Sequence, residues 1–164
     1  MDSFYETLVS SGRNELIPEE DDYFGKLIGE WDFDWLDHNN PRTVKGEWVF
    51  SWVLEGRAIQ DVFICPSRAT RPDNPQPDGE YGTTLRVYNP SAKAWDIAYC
   101  WTGQITRLEA RKTNSMVILT DIDNANEKWV FREITDDTFH WQNVTVQDNA
   151  SWYINADLYA KRRK

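Results

Sequence analysis

Few side chains in this 164-residue chain have the chemistry to hold or transform a small molecule. They stand inside otherwise apolar stretches. Gln60 and Asp61 interrupt the run from Ala58 to Cys65, Arg86 lies between Leu85 and Val87, and His140 and Gln142 flank Trp141. A buried polar group costs free energy unless it is paired, so these residues face water, meet one another, or orient a ligand. In the last case Gln60, Arg86 and His140 fix the ligand's polar end, and Arg86 favours a carboxylate. Asp61 or His140 is the candidate acid–base group for a cyclase or isomerase, with Tyr99 as hydrogen-bond donor.

Sharper chemistry lacks a pattern. There is no nucleophile elbow, and His38 and His140 have no triad spacing around them. Two distant His and two distant Cys do not make a zinc set. Some haem barrels use one late-strand His, which here would be His140, but a lone strand His more often has a structural role. No phosphate loop or dinucleotide fingerprint occurs. We therefore expect no cofactor, no metal and no assigned catalytic residue.

The aromatic inventory is more informative. Nine Trp, seven Tyr and seven Phe are a large supply of buried area for one domain. Many fall on single strand faces: Phe33 with Trp35; Trp48, Phe50 and Trp52; Tyr99 with Trp101; and Trp129 and Trp141 on later strands. With Gln60, Asp61, Arg86 and His140 they form the candidate ligand-binding set. The expectation is a cavity that takes a small apolar or aromatic molecule without transforming it. A barrel filled by its own side chains is the competing outcome.

These residues need strands to position them. In Gly29-Glu30-Trp31-Asp32-Phe33-Asp34-Trp35 the aromatics share one face and the acids the other. Further strands are expected near 43–53, 57–65, 81–88, 93–102, 104–111, 115–120, 127–134, 138–147 and 151–161, mostly joined by short polar turns. An open sheet of that many strands leaves two bare edges, and closure removes them. The expected architecture is all-β: a single domain with a helical segment over 1–28 and a closed antiparallel barrel of eight to ten strands over 29–163. Residues 2–9 form a short helix, and Pro18-Glu19-Glu20 opens a second that Gly29 ends. Residues 66–80 hold four of the seven prolines and form the longest loop, placed to gate one mouth.

Leu27-Ile28-Gly29-Glu30-Trp31, the run Gly82 to Pro90, and Ala94-Trp95-Asp96-Ile97, in this order, resemble bacterial lipocalin-like proteins of unknown function of the DUF1579 type. The Gly-x-Trp opening and a late Arg162 also resemble the wider calycin architecture of lipocalins and fatty-acid-binding proteins. That resemblance implies a calycin-like barrel whose first-strand Trp31 packs at the closed end against Arg162. It lends no catalytic residues. The chain departs from secreted lipocalins in lacking a signal and a disulfide pair.

Charge and cysteine usage bound the partners. Residues 1–37 carry eleven acids and two bases, whereas residues 38–164 carry sixteen of each. A neutral body with an acidic arm is a poor nucleic-acid binder. No apolar run is long enough for a membrane span, and the N-terminus has no secretory pattern, so a cytoplasmic location with reduced Cys65 and Cys100 is expected. The third strand is apolar on both faces, which anticipates a homodimer or cover by the N-terminal helix.

Overall fold

A computed structural model describes residues 2–164. A short helix, α1 (Ser3–Leu8), precedes ten strands: β1 (Gly29–Asp37), β2 (Arg42–Val53), β3 (Ala58–Cys65), β4 (Glu80–Asn89), β5 (Ala94–Trp101), β6 (Gln104–Thr113), β7 (Met116–Asp121), β8 (Glu127–Ile134), β9 (Thr138–Val146) and β10 (Trp152–Arg162). Each strand pairs with its sequence neighbours, and β1 pairs antiparallel with β10, so the meander closes into a ten-stranded barrel. Closure pairs the two outer strands of the meander with each other.

The register decides which residues face inward. Trp48 lies opposite Trp31 and Phe63, and Phe50 opposite Asp61. Asp61 lies opposite Thr84, and Thr84 opposite Tyr99. Residues directly opposite share a face, so these chains of partners trace the interior around the barrel. A bulge between Ile154 and Ala156 leaves Ala156, Leu158 and Ala160 buried against β1 and β9.

One end is sealed. Trp31 is wholly buried, donates its indole N–H to the Leu27 carbonyl, and carries the Arg162 guanidinium 4.3 Å above its ring centroid. Arg162 also donates to the carbonyls of Ile28 and Lys26 at 2.6 Å each, which ties the chain's last strand to the entry of its first. The expected Trp31–Arg162 contact is therefore present. Ile17, Phe24 and Leu27 join the core at this end, with Phe24 edge-on to Trp95 and Phe131.

The plug differs from the expected second helix. Residues 18–28 form two single 3-10 turns, Glu19–Asp21 and Gly25–Leu27. The Asp22 carboxylate accepts the Gly25 N–H at 2.8 Å and offers the backbone a turn in place of a continuing helix. That break lets Phe24 and Leu27 both enter the barrel end. Upstream, β1 begins opposite Phe50, which leaves the last residues of β2 with a free edge. Val9 bridges to Val53 there, and Ser10 N–H donates to the Trp52 carbonyl.

Among the described residues, no helix is long and apolar enough to cross a membrane.

Candidate functional site

The end opposite the plug is open. There, inward-facing side chains surround a cavity of about 390 Å³, within the usual range for small-molecule sites. Trp48, Phe63, Trp129 and Trp141 form its aromatic walls, and Trp35, Tyr99 and Trp101 stand around them. Trp48 is the hub: its ring meets Phe50, Phe63 and Trp141 at centroid distances of 5.0, 5.0 and 6.2 Å. Phe63 and Trp141 meet Trp48 edge-on, and large rings in that arrangement do not interdigitate fully, which keeps space open. Gly46 serves the same packing, because a Cβ there would lie 2.1 Å from Phe33 Cζ. Phe33 stacks on Phe63 at 5.2 Å.

Set in this apolar wall is a buried ion pair. Arg86 Nη1 donates to Asp61 Oδ2 at 2.5 Å, and both residues are 1% exposed. The other Asp61 oxygen accepts the Thr84 N–H at 3.1 Å. The guanidinium lies over Phe24 and Phe50, 5.2 and 5.4 Å from their centroids. Each member offsets part of the cost of the other's burial. Arg86 is therefore already neutralised, which corrects the expectation that it awaits a ligand carboxylate.

Nearer the mouth, Tyr99 donates its hydroxyl to Glu80 at 2.6 Å. Burial pushes the Glu80 carboxyl above its ordinary value, with Asp78 adding to the rise against the Tyr99 hydrogen bond. Burial also raises the Tyr99 hydroxyl strongly, helped by Glu80. Burial pushes the Cys65 thiol, on the same wall, up to about 12. Asp121 and Glu127 complete an acidic rim.

The Pro-rich segment 66–79 borders this mouth and is held down. Arg42 lies 5.3 Å over Trp35, donates to Asp37 and Gln76, and pairs with Asp78. Arg71 donates to the carbonyls of Pro66 and Glu80, and Arg68 pairs with Glu47 at 2.6 Å. The expected gate is a tethered rim, with Gln76 and Asp78 turned into the cavity lining.

Of the thirteen candidate ligand-binding residues, Trp35, Trp48, Arg86, Tyr99, Trp101, Trp129 and Trp141 line the cavity. Phe33, Phe50 and Trp52 belong to the packed core around it, and Asp61 sits behind Arg86. Gln60 and His140 are corrections. Gln60 alternates with the inward Ile59 and Asp61 and donates to Thr83 on the outer wall. His140 alternates with the inward Phe139 and Trp141, stacks on the exposed Tyr159, and bonds Asp157 at 2.6 Å. His38 reaches the other oxygen of Asp157 at 2.7 Å. Burial raises the Asp157 carboxyl, but hydrogen bonds from His38, His140 and Gln142 outweigh it and hold the group below its ordinary value. Both histidines therefore belong to an outer hydrogen-bonded cluster around Asp157.

Sequence reasoning missed Glu80, Asp121, Glu127 and Asn143. All four occupy inward positions near the mouth. Glu80 was legible in principle, since it continues the alternation Gly82, Thr84, Arg86 back by one step. Among the described residues no group of three or more His, Cys, Asp or Glu is arranged to hold a metal ion.

No family model matches the sequence, and no curated protein does. Among solved structures, that of Rv2717c from M. tuberculosis aligns with a TM-score of 0.54 and 13% identity, covering 90% of this chain and 99% of that one. A protein of unknown function from the DUF3598 family of Nostoc punctiforme PCC 73102 aligns at 6% identity over 89% of this chain and 100% of that one, with a TM-score of 0.26, too low to support an inference. At 13% identity the similarity to Rv2717c shows a common fold and nothing about activity.

Proposed function

We propose that this barrel binds a small, largely aromatic molecule in its interior and releases it unchanged. The observation that carries this reading is the cavity of about 390 Å³, walled by Trp and Phe rings and open at one end. Such a site offers a flat apolar molecule broad contact and few polar demands. A cyclase or isomerase built on Asp61 or His140 has less support. Asp61 spends both oxygens on Arg86 and Thr84, and His140 stands on the outer wall.

Tryptophan fluorescence titrated with fatty acids, flavonoids and haem tests the reading, because Trp48, Trp129 and Trp141 report from the wall. Saturable quenching is expected with a flat aromatic ligand. Thr106→Phe, which places a ring at the mouth, should weaken it. No quenching by any of the three classes would defeat the reading and leave a purely structural barrel.

A further inference from the structure

Three residues of the cavity wall carry polar hydrogens that find no acceptor among the described residues. Trp48 Nε1, Trp141 Nε1 and Arg86 Nε are buried atoms with no hydrogen-bond partner among the described residues. Their residues are 5%, 8% and 1% exposed, and all three line the same cavity. Unpaired buried donors are rare in folded proteins, and each one costs free energy comparable to a lost hydrogen bond. All three are donors, and an indole or guanidinium nitrogen cannot accept. The wall therefore asks for acceptor atoms.

Charge narrows the choice. The Arg86 guanidinium is matched by Asp61, so no net positive charge is left for an anion. The rim has the opposite sign. Glu80 opens β4, Asp121 ends β7 and Glu127 opens β8, all on the mouth side of the three donors, and a carboxylate entering past them meets like charge. An uncharged acceptor has neither difficulty. The flat rings of Trp48, Trp129 and Trp141 set the body of the molecule as aromatic, and the volume limits it to a few fused rings.

We infer that the barrel selects an uncharged, flat aromatic molecule with a carbonyl-type acceptor directed at Trp48, Trp141 and Arg86. The inference rests on the ligand-binding reading above and narrows it to a chemical class.

Three probes of one shape test it on the native protein: fluorene, 9-fluorenone and fluorene-9-carboxylate, compared by tryptophan quenching and calorimetry. Fluorenone is expected to bind about tenfold or more tighter than fluorene, since one acceptor relieves at least one unpaired donor. The carboxylate is expected to bind weakest. The carbonyl stretch of bound fluorenone should move to lower wavenumber than in hydrocarbon solvent. Trp141→Phe keeps a ring and removes one donor, so it should weaken fluorenone about 3- to 10-fold and leave fluorene within about twofold. Equal affinity for fluorene and fluorenone, or tightest binding of the carboxylate, overturns the inference while the aromatic-cavity reading stands. Absence of binding by all three overturns both. The comparison on native protein decides the matter even if W141F does not fold.

Discussion

Replacing Asp61 by Asn is the most direct probe of how the interior is held together. Asn keeps the shape and can still accept the Thr84 N–H, which Asp61 receives at 3.1 Å. It cannot neutralise Arg86, whose Nη1 lies 2.5 Å from the other carboxylate oxygen. The guanidinium is then left uncompensated between Phe24 and Phe50. Removing one partner of a buried ion pair costs about 3–5 kcal/mol. The two aromatic faces offset about 0.5–2 kcal/mol of that, because rings attract a desolvated cation. A net loss of about 3 kcal/mol is expected, or roughly 6–12 °C in Tm for a domain of this size. Urea unfolding followed by circular dichroism reads this as a lower midpoint at constant slope. Asp61→Leu combined with Arg86→Met replaces the pair by apolar groups and should lie within about 2 kcal/mol of the native protein, since neither charge is then buried alone. A D61N loss below about 1 kcal/mol, or a double variant as unstable as the sum of its single changes, would refute the argument that each charge offsets the other's burial.

Three further predictions follow from the same interior. Gly46→Ala forces Phe33 off Phe63, because its Cβ would fall 2.1 Å from the Phe33 ring, and should cost about 1–3 kcal/mol in urea unfolding; a loss under about 0.5 kcal/mol would show that Phe33 has room to move. Cys65, buried and pushed up to about 12, should resist a thiol reagent at pH 8 in the folded protein and react on unfolding, with Cys100 labelled first; equal labelling rates for C65S and C100S variants would contradict this. Burial raises the Glu80 carboxyl in the folded state above its ordinary value of 4.5, so the fold binds that proton more tightly than the unfolded chain does. Its stabilising contribution is present below that value and is lost as pH rises through the raised one. Glu80→Gln keeps an acceptor for Tyr99 and should flatten the decline of Tm with pH just above 4.5; parallel Tm curves for the two proteins would count against it.

The closed barrel was legible in the sequence because a strand's side-chain period is two, and where polar and apolar residues alternate cleanly the inner face identifies itself. Trp31, Phe33 and Trp35 against three acids, or Trp48, Phe50 and Trp52 on β2, leave no second solution. The Trp31–Arg162 contact at the sealed end was anticipated differently, only through the resemblance of the Gly-x-Trp opening and the late Arg162 to calycin barrels. β3 offered no such clue. Ala58 to Cys65 is apolar on both faces, so nothing local says whether Gln60 or Asp61 turns inward. That parity is set by the register that places Asp61 between Phe50 and Thr84, a property of neighbouring strands. The same holds for His140, whose outward place follows from Phe139 and Trp141 pointing in. The Asp61–Arg86 pair joins residues 25 positions apart. Residues 18–28 carried a fair helix pattern, yet the barrel end needed Phe24 and Leu27 together, and packing outweighed the weak local preference. Which side chains are apolar, and in what rhythm, was written in the chain. Which polar groups meet inside was decided by strand register alone, because only the closed sheet brings distant residues to the same face.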